Sequence, residues 1–166
     1  MQDKIQKTQA MLDTFDEQFR TVILSTLTED QTPFASYAPY VKYNNDYYFI
    51  ISKLALHYTN MLNHPKASIM FIADESATNS MFFRKRLSYM VDVELEIDDD
   101  TIKNLFVEKF GALVKQLLQM DFLIGKCHLR SGHFIVGPAG AYEVDGHQRV
   151  VELMTGNKGM GHPNMK

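Results

Sequence analysis

The sequence has very little cysteine, the residue that forms disulfide cross-links. Its 166 residues contain one cysteine, Cys127, so the chain cannot form an internal disulfide. A lone thiol is typical of a reducing compartment. A cysteine can also act as a nucleophile, but the strand-like surroundings of Cys127 favour a small core residue. We therefore assign it no chemistry.

Several motifs that define common enzyme classes are also missing. The six histidines have no zinc-binding spacing, and neither Cys-x-x-Cys nor His-Glu-x-x-His occurs. The glycines at 137 and 140 lack the helix and the acidic residue of a dinucleotide site. No Gly-x-Ser-x-Gly elbow supports a hydrolase. We exclude structural zinc, nicotinamide-dependent dehydrogenases and serine hydrolases on these grounds.

Positive charge and long apolar runs are scarce as well. The formal net charge of -3 offers no general attraction to nucleic acid, which is bound through clustered Lys and Arg. The apolar runs are far shorter than the roughly 20 residues of a membrane span. Residues 1–11 are polar and amphipathic, unlike a secretory signal. We expect a cytoplasmic protein with neither nucleic acid nor membrane as a partner.

The composition indicates one folded domain, with 45% hydrophobic and 22% charged residues. Apolar residues at helical spacing predict an N-terminal helix within 1–20 that packs on the rest. Residues 21–154 form the main domain, and the glycine-rich segment 155–166 is expected to be a flexible tail. Strand-like runs are found at 21–27, 34–41, 47–52, 67–72, 84–97, 122–129, 133–136 and 141–144. Helical patterns are found at 54–63, after the carboxylates 98–100 up to 110, and at 113–120.

The order of these elements predicts an α+β fold. Many short strands without a repeating strand-helix-strand unit favour an antiparallel sheet, with helices at its margins. Periodicity alone leaves a barrel and a sandwich equally open.

The sharpest charge feature is the basic triplet Arg84, Lys85 and Arg86. Guanidinium groups present paired donors to phosphate or carboxylate oxygens, so the triplet suits a flavin phosphate or heme propionates. The alternative is a solvated strand end whose charges pair with Asp74 and Glu75. His162 lies in the glycine-rich tail, where its imidazole is either free in solution or a ligand to heme iron.

Several segments together resemble the HugZ/HutZ heme-utilisation family, a branch of the pyridoxamine-phosphate-oxidase-like split barrels. The matching segments are 33–40, 56–60, 64–70, 83–87 and 137–142, and they occur in the family's order. With Gly161 and His162 in the tail, the match extends from about residue 21 to residue 162.

This resemblance implies an antiparallel split β-barrel with flanking helices that forms a homodimer and binds heme near the subunit interface. It implies that His162 is the axial ligand to the heme iron, with Arg86 on the propionate or distal side and Arg84 and Lys85 assisting it. Asp121 matches an acidic position that accepts a proton from the axial histidine. The implied activity is oxidative heme degradation that releases iron, with electrons from an external donor.

Two other functions remain open from the sequence. A flavoprotein oxidoreductase of the same barrel would hold FMN through the basic triplet, and would not depend on the tail. A non-catalytic heme carrier or storage protein would bind heme through His162 without consuming it.

Overall fold

The described part of the chain, residues 2–154 of the computed structural model, begins with the amphipathic helix α1 (Gln2–Phe15). Leu12 and Phe15 lie nearly one turn apart on its buried side and pack into the main core. A 3-10 turn (Asp16–Gln18) leads into the first strand. Residues 155–166, including the predicted tail ligand His162, lie outside the described residues.

Eight strands and three further helices follow. The strands are β1 (Thr21–Leu27), β2 (Pro33–Tyr43), β3 (Asp46–Ser52), β4 (Lys66–Ile72), β5 (Arg86–Glu94), β6 (Phe122–Gly137), β7 (Gly140–Asp145) and β8 (Val150–Leu153). The helices are α2 (Leu56–Asn63), α3 (Asp100–Phe110) and α4 (Leu113–Gln119). Asp99 caps α3, because its carboxylate accepts hydrogen bonds from the backbone amides of Thr101 and Ile102.

Six of the strands close into a barrel. The sheet runs β3-β2-β1-β4-β5-β6, and β3 also pairs with β6, so the first and last of these strands meet. All the pairings are antiparallel, and β7 and β8 extend the sheet beyond β6. The predicted α+β antiparallel barrel is confirmed, and the sandwich alternative is excluded.

A close backbone contact at the closing seam requires glycine. Phe49 on β3 pairs with Gly125 on β6, and a Cβ at position 125 would lie 2.3 Å from Cζ of the Phe49 ring. The missing side chain lets the ring lie flat against the neighbouring strand.

Hydrophobic clusters lie on both sides of the barrel wall. The interior holds the larger cluster, with Tyr47, Phe71, Tyr89 and Phe134 among its fully buried side chains. On the outside, α3 and α4 cover β2, β3 and β6 with a second cluster that includes Phe106. The outward residues of β5 are not covered to the same extent, and Met90 is 53% exposed.

One carboxylate is buried against the barrel. The side chain of Asp16 is 2% exposed, and one of its oxygens lies 2.9 Å from Nζ of Lys42. Burial, followed by the charge of Asp16, raises the pKa of the Tyr47 hydroxyl.

Two strand predictions were wrong. The runs at 122–129 and 133–136 are one strand, β6, because Arg130 is accommodated as an extra residue where Leu129 pairs with Val91 and Ser131 pairs with Met90. Residues 130–132 are polar or glycine, as in a turn, but the bulge lets the strand continue through them. The strand predicted at 84–97 is shorter and ends at 94, and the positive φ of 61° at Glu96 follows that end.

Candidate functional site

The basic triplet lies where the loop after β4 enters β5, and its three side chains diverge. Nη1 of Arg84 lies 2.9 Å from Oε1 of Glu75, and its Nε donates a hydrogen bond of 2.5 Å to the carbonyl of Ala73. The Arg84 side chain is only 22% exposed. Arg84 therefore holds the loop together through Glu75 and Ala73. The pairing with Glu75 is the one that the alternative interpretation of the triplet predicted. Asp74 instead accepts a hydrogen bond from the backbone amide of Ser76.

Lys85 and Arg86 point to different surroundings. Lys85 is exposed and lines a cleft at the end of the barrel. Arg86 is the first residue of β5 and lies on its outward side, because the next residue, Leu87, is buried. Its Nη1 donates to the Arg84 carbonyl at 3.1 Å. Arg86 itself is not among the residues that line the cleft, although Ile72, its cross-strand partner, is.

The cleft has a volume of about 830 Å³, within the range of small-molecule and cofactor sites. Its walls include the aromatic side chains of Phe15, Phe19, Phe83 and Phe134, and its lining includes Arg20, Arg84 and Lys85. Apolar walls with cationic groups at the edge suit a flat, largely apolar ligand with anionic substituents, such as heme or a flavin. The sequence indicated the triplet, but not the aromatic walls, because Phe15, Phe19 and Phe134 are distant from it along the chain.

Asp121 lies at the other end of the barrel. It immediately precedes β6, and its carboxylate accepts a hydrogen bond from the Ser52 hydroxyl. Its backbone carbonyl accepts a hydrogen bond of 2.8 Å from the amide of Lys53. Arg86 pairs with Ile135, 13 positions after Phe122 along β6, which corresponds to about 40 Å along the strand. The structure therefore does not bring Asp121 and the triplet together within one chain.

His57 is a partly buried histidine with one ring nitrogen that is unpaired within the described residues. It lies in α2, and its Nδ1 is 2.9 Å from the Ser36 hydroxyl, whereas its buried Nε2 has no hydrogen-bond partner within residues 2–154. Burial lowers the pKa of this imidazole. Burial therefore favours the neutral form of His57, whose Nε2 is enclosed by the described residues.

Other candidate groups have no reactive surroundings. Cys127 is buried on β6, and burial raises the pKa of its thiol to about 12, so its thiolate is scarce at neutral pH. No group of three His, Cys, Asp or Glu side chains within residues 2–154 is arranged to hold a metal ion. Over the same residues, none of the helices is both long and apolar enough for a membrane crossing.

Comparison with known proteins identifies the family to which this fold belongs. The family model described as pyridoxamine 5'-phosphate oxidase matches residues 8–123. The heme oxygenase HutZ of Vibrio cholerae is 33% identical over 152 residues, which cover 87% of this chain and 86% of that protein.

Two crystal structures show the same fold. ChuZ of Campylobacter jejuni superposes with a TM-score of 0.82 at 29% identity, over 96% of this chain and 67% of that one. HutZ of Vibrio cholerae, described there as a heme storage protein, superposes with a TM-score of 0.67 at 27% identity, over 84% of this chain and 97% of that one. The chain therefore belongs to the pyridoxamine 5'-phosphate oxidase family and is a homologue of HutZ.

Proposed function

We propose that this protein binds heme and degrades it oxidatively, which releases the iron. The observation that carries the proposal is the cleft of about 830 Å³, with aromatic walls and a cationic edge. A porphyrin needs apolar walls for its ring and donors for its two propionates, and this lining offers both. The homology to HutZ, described as a heme oxygenase, supports the same function.

The residues of the triplet have separate tasks in this proposal. Arg86, whose cross-strand partner Ile72 lines the cleft, binds a propionate, and Lys85 adds positive charge to the lining. Arg84 assists by holding the loop through Glu75 and Ala73. His162 coordinates the iron from the tail, which lies outside the described residues.

We also propose that the working unit is a homodimer. Asp121 and Arg86 lie near opposite ends of β6, so a site that uses both needs two copies of the chain. Apolar side chains surround the Asp121 end, where Leu54 is 88% exposed and Met120 is 73% exposed. Exposed apolar patches of this kind mark protein interfaces. In the dimer, Asp121 of one copy accepts the proton from the axial histidine of the site that holds the other copy's Arg86.

Arg86, Lys85 and His162 would hold the heme, and the bound heme would supply the redox chemistry. The protein orients the ring, restricts access of water and holds the proton of the axial imidazole. Electrons come from an external donor, because the sequence has no nicotinamide motif. We propose a cytoplasmic location, which the lone buried thiol of Cys127 supports.

A hemin titration followed by absorption spectroscopy tests the proposal. We expect a Soret band that saturates at one heme per chain, shifts in His162→Ala and decays when ascorbate is added under air. Heme that binds but persists would instead indicate a carrier or storage protein. A protein that purifies with FMN and shows no specific heme spectrum would refute the proposal and favour a flavoenzyme, in line with the family model.

A further inference from the structure

A row of polar side chains lies beside Arg86 on the outward face of the sheet. Ser88 on β5 pairs with His133 on β6. The flanking residues Leu87 and Phe134 are buried, so the alternation of side chains places Ser88 and His133 outward. His133 is exposed.

This register places His133 diagonally opposite Arg86. Arg86 precedes Ser88 by two residues on the same side of β5, and diagonal neighbours in an antiparallel pair lie about 7–8 Å apart. The direct cross-strand partners of Arg86 are Ile72 and Ile135, which have no polar side-chain atoms. Among these neighbours of Arg86, the donors are therefore Ser88 and His133.

The chemistry of the ligand requires a second donor of this kind. Heme carries two propionates on adjacent pyrroles, at one edge of the ring. If Arg86 holds one of them, the other lies next to it, within reach of the same face of the sheet. An imidazole N–H and a serine hydroxyl both donate hydrogen bonds to a carboxylate.

We propose that His133 binds the second heme propionate, beside the one on Arg86, with the Ser88 hydroxyl between them. This inference rests on the proposed function, because it assigns a residue to the same ligand. The acidic side chain of Glu143 pairs with His133 from β7, on the side away from Arg86. It therefore leaves the Arg86 side of the imidazole to the ligand.

The test compares hemin with hemin dimethyl ester, in which both carboxylates are blocked. We expect His133→Ala to weaken hemin binding about tenfold, the order expected for one hydrogen bond to a charged group. The same substitution should leave the affinity for the dimethyl ester unchanged, because the ester has no carboxylate to lose. A purely structural effect of the substitution would weaken both ligands alike.

His128→Ala is the matched control. His128 is another exposed histidine of β6, but it bonds to Glu94 at 2.8 Å and pairs with Asp92, away from Arg86. It should bind both ligands like the wild type. Equal hemin affinities for wild type and His133→Ala would overturn this inference and leave heme binding intact, whereas a wild type that binds no hemin would refute the proposed function itself.

Discussion

Arg84 and Glu75 form an ion pair across the loop between β4 and β5, with 2.9 Å between Nη1 and Oε1. Because of this contact, two arginines that are only two positions apart have different surroundings. Arg84 is held by the loop, whereas Arg86 lies on the outward side of the sheet, opposite Ile72. The basic triplet is thus one structural residue and two residues available for a ligand.

Alanine substitutions at these two arginines should have different effects. Arg84→Ala should lower the free energy of unfolding by about 1 kcal/mol, because it removes the hydrogen bond to Ala73 and a partly exposed ion pair. Arg86→Ala should instead weaken hemin binding about tenfold or more and barely change stability. Thermal unfolding and hemin titration of both variants check this. Equal losses of hemin affinity would contradict the division of roles.

Mixing two impaired variants should restore activity if the site spans two chains. In a dimer of Arg86→Ala with Asp121→Asn, one of the two sites contains both altered residues and the other contains neither. We expect the mixed dimer to recover about half of the wild-type rate of heme loss per dimer, above either variant alone. The mixture has to be unfolded and refolded together so that the subunits exchange. No recovery in dimers shown to be mixed would contradict a shared site.

The buried charge pair should matter for stability. Lys42→Met leaves the carboxylate of Asp16 buried without its partner, and we expect a loss of about 3–5 kcal/mol in the free energy of unfolding. The double variant Asp16→Asn with Lys42→Met should be more stable than Lys42→Met, because no lone charge remains. Denaturant unfolding measures both. A Lys42→Met protein as stable as the wild type would show that Asp16 does not depend on this pair.

Cys127 should resist thiol reagents in the folded protein. Its pKa of about 12 and its burial leave little accessible thiolate at pH 8. A disulfide reagent should therefore react with one thiol per chain in guanidinium chloride and with almost none in buffer. The folded state favours the neutral thiol, because its pKa is raised from 9.0 to about 12. The stabilisation by the neutral Cys127 is therefore complete below about pH 9 and is lost as the pH rises through 12. Cys127→Ala should reduce this alkaline loss, and rapid labelling of the native protein would contradict the account.

The sequence predicted the individual strands and helices well where local patterns are strong, whereas the barrel was implied by the family resemblance. Strand-forming residues in 21–27 and turn residues before β3 identified the first strands, and the carboxylates before α3 identified its start. It failed at β6, because a bulge at Arg130 depends on the pairing with β5 and has no local signal. Strand β8 was also missed, since four residues without alternation look like a loop.

The candidate site was predictable only in part. The triplet stands out as a run of positive charge, and pairing with Glu75 was one of its two interpretations, but the sequence does not reveal which of the three residues forms that pair. His133 falls in the strand-like run 133–136 and carries no local sign of a role in ligand binding. Its position beside Arg86 follows from the register between β5 and β6, which a single sequence does not fix.

Iron release during reaction with ascorbate, under air and in the presence of catalase, tests the central claim most directly. The heme complex of the wild type should lose its Soret band and release close to one iron per heme to a ferrous chelator, whereas His162→Ala should release far less. Catalase removes free hydrogen peroxide, so degradation that continues in its presence takes place at the protein's own site. A stable Soret band, or a loss that catalase abolishes, would contradict heme degradation as the function of this protein.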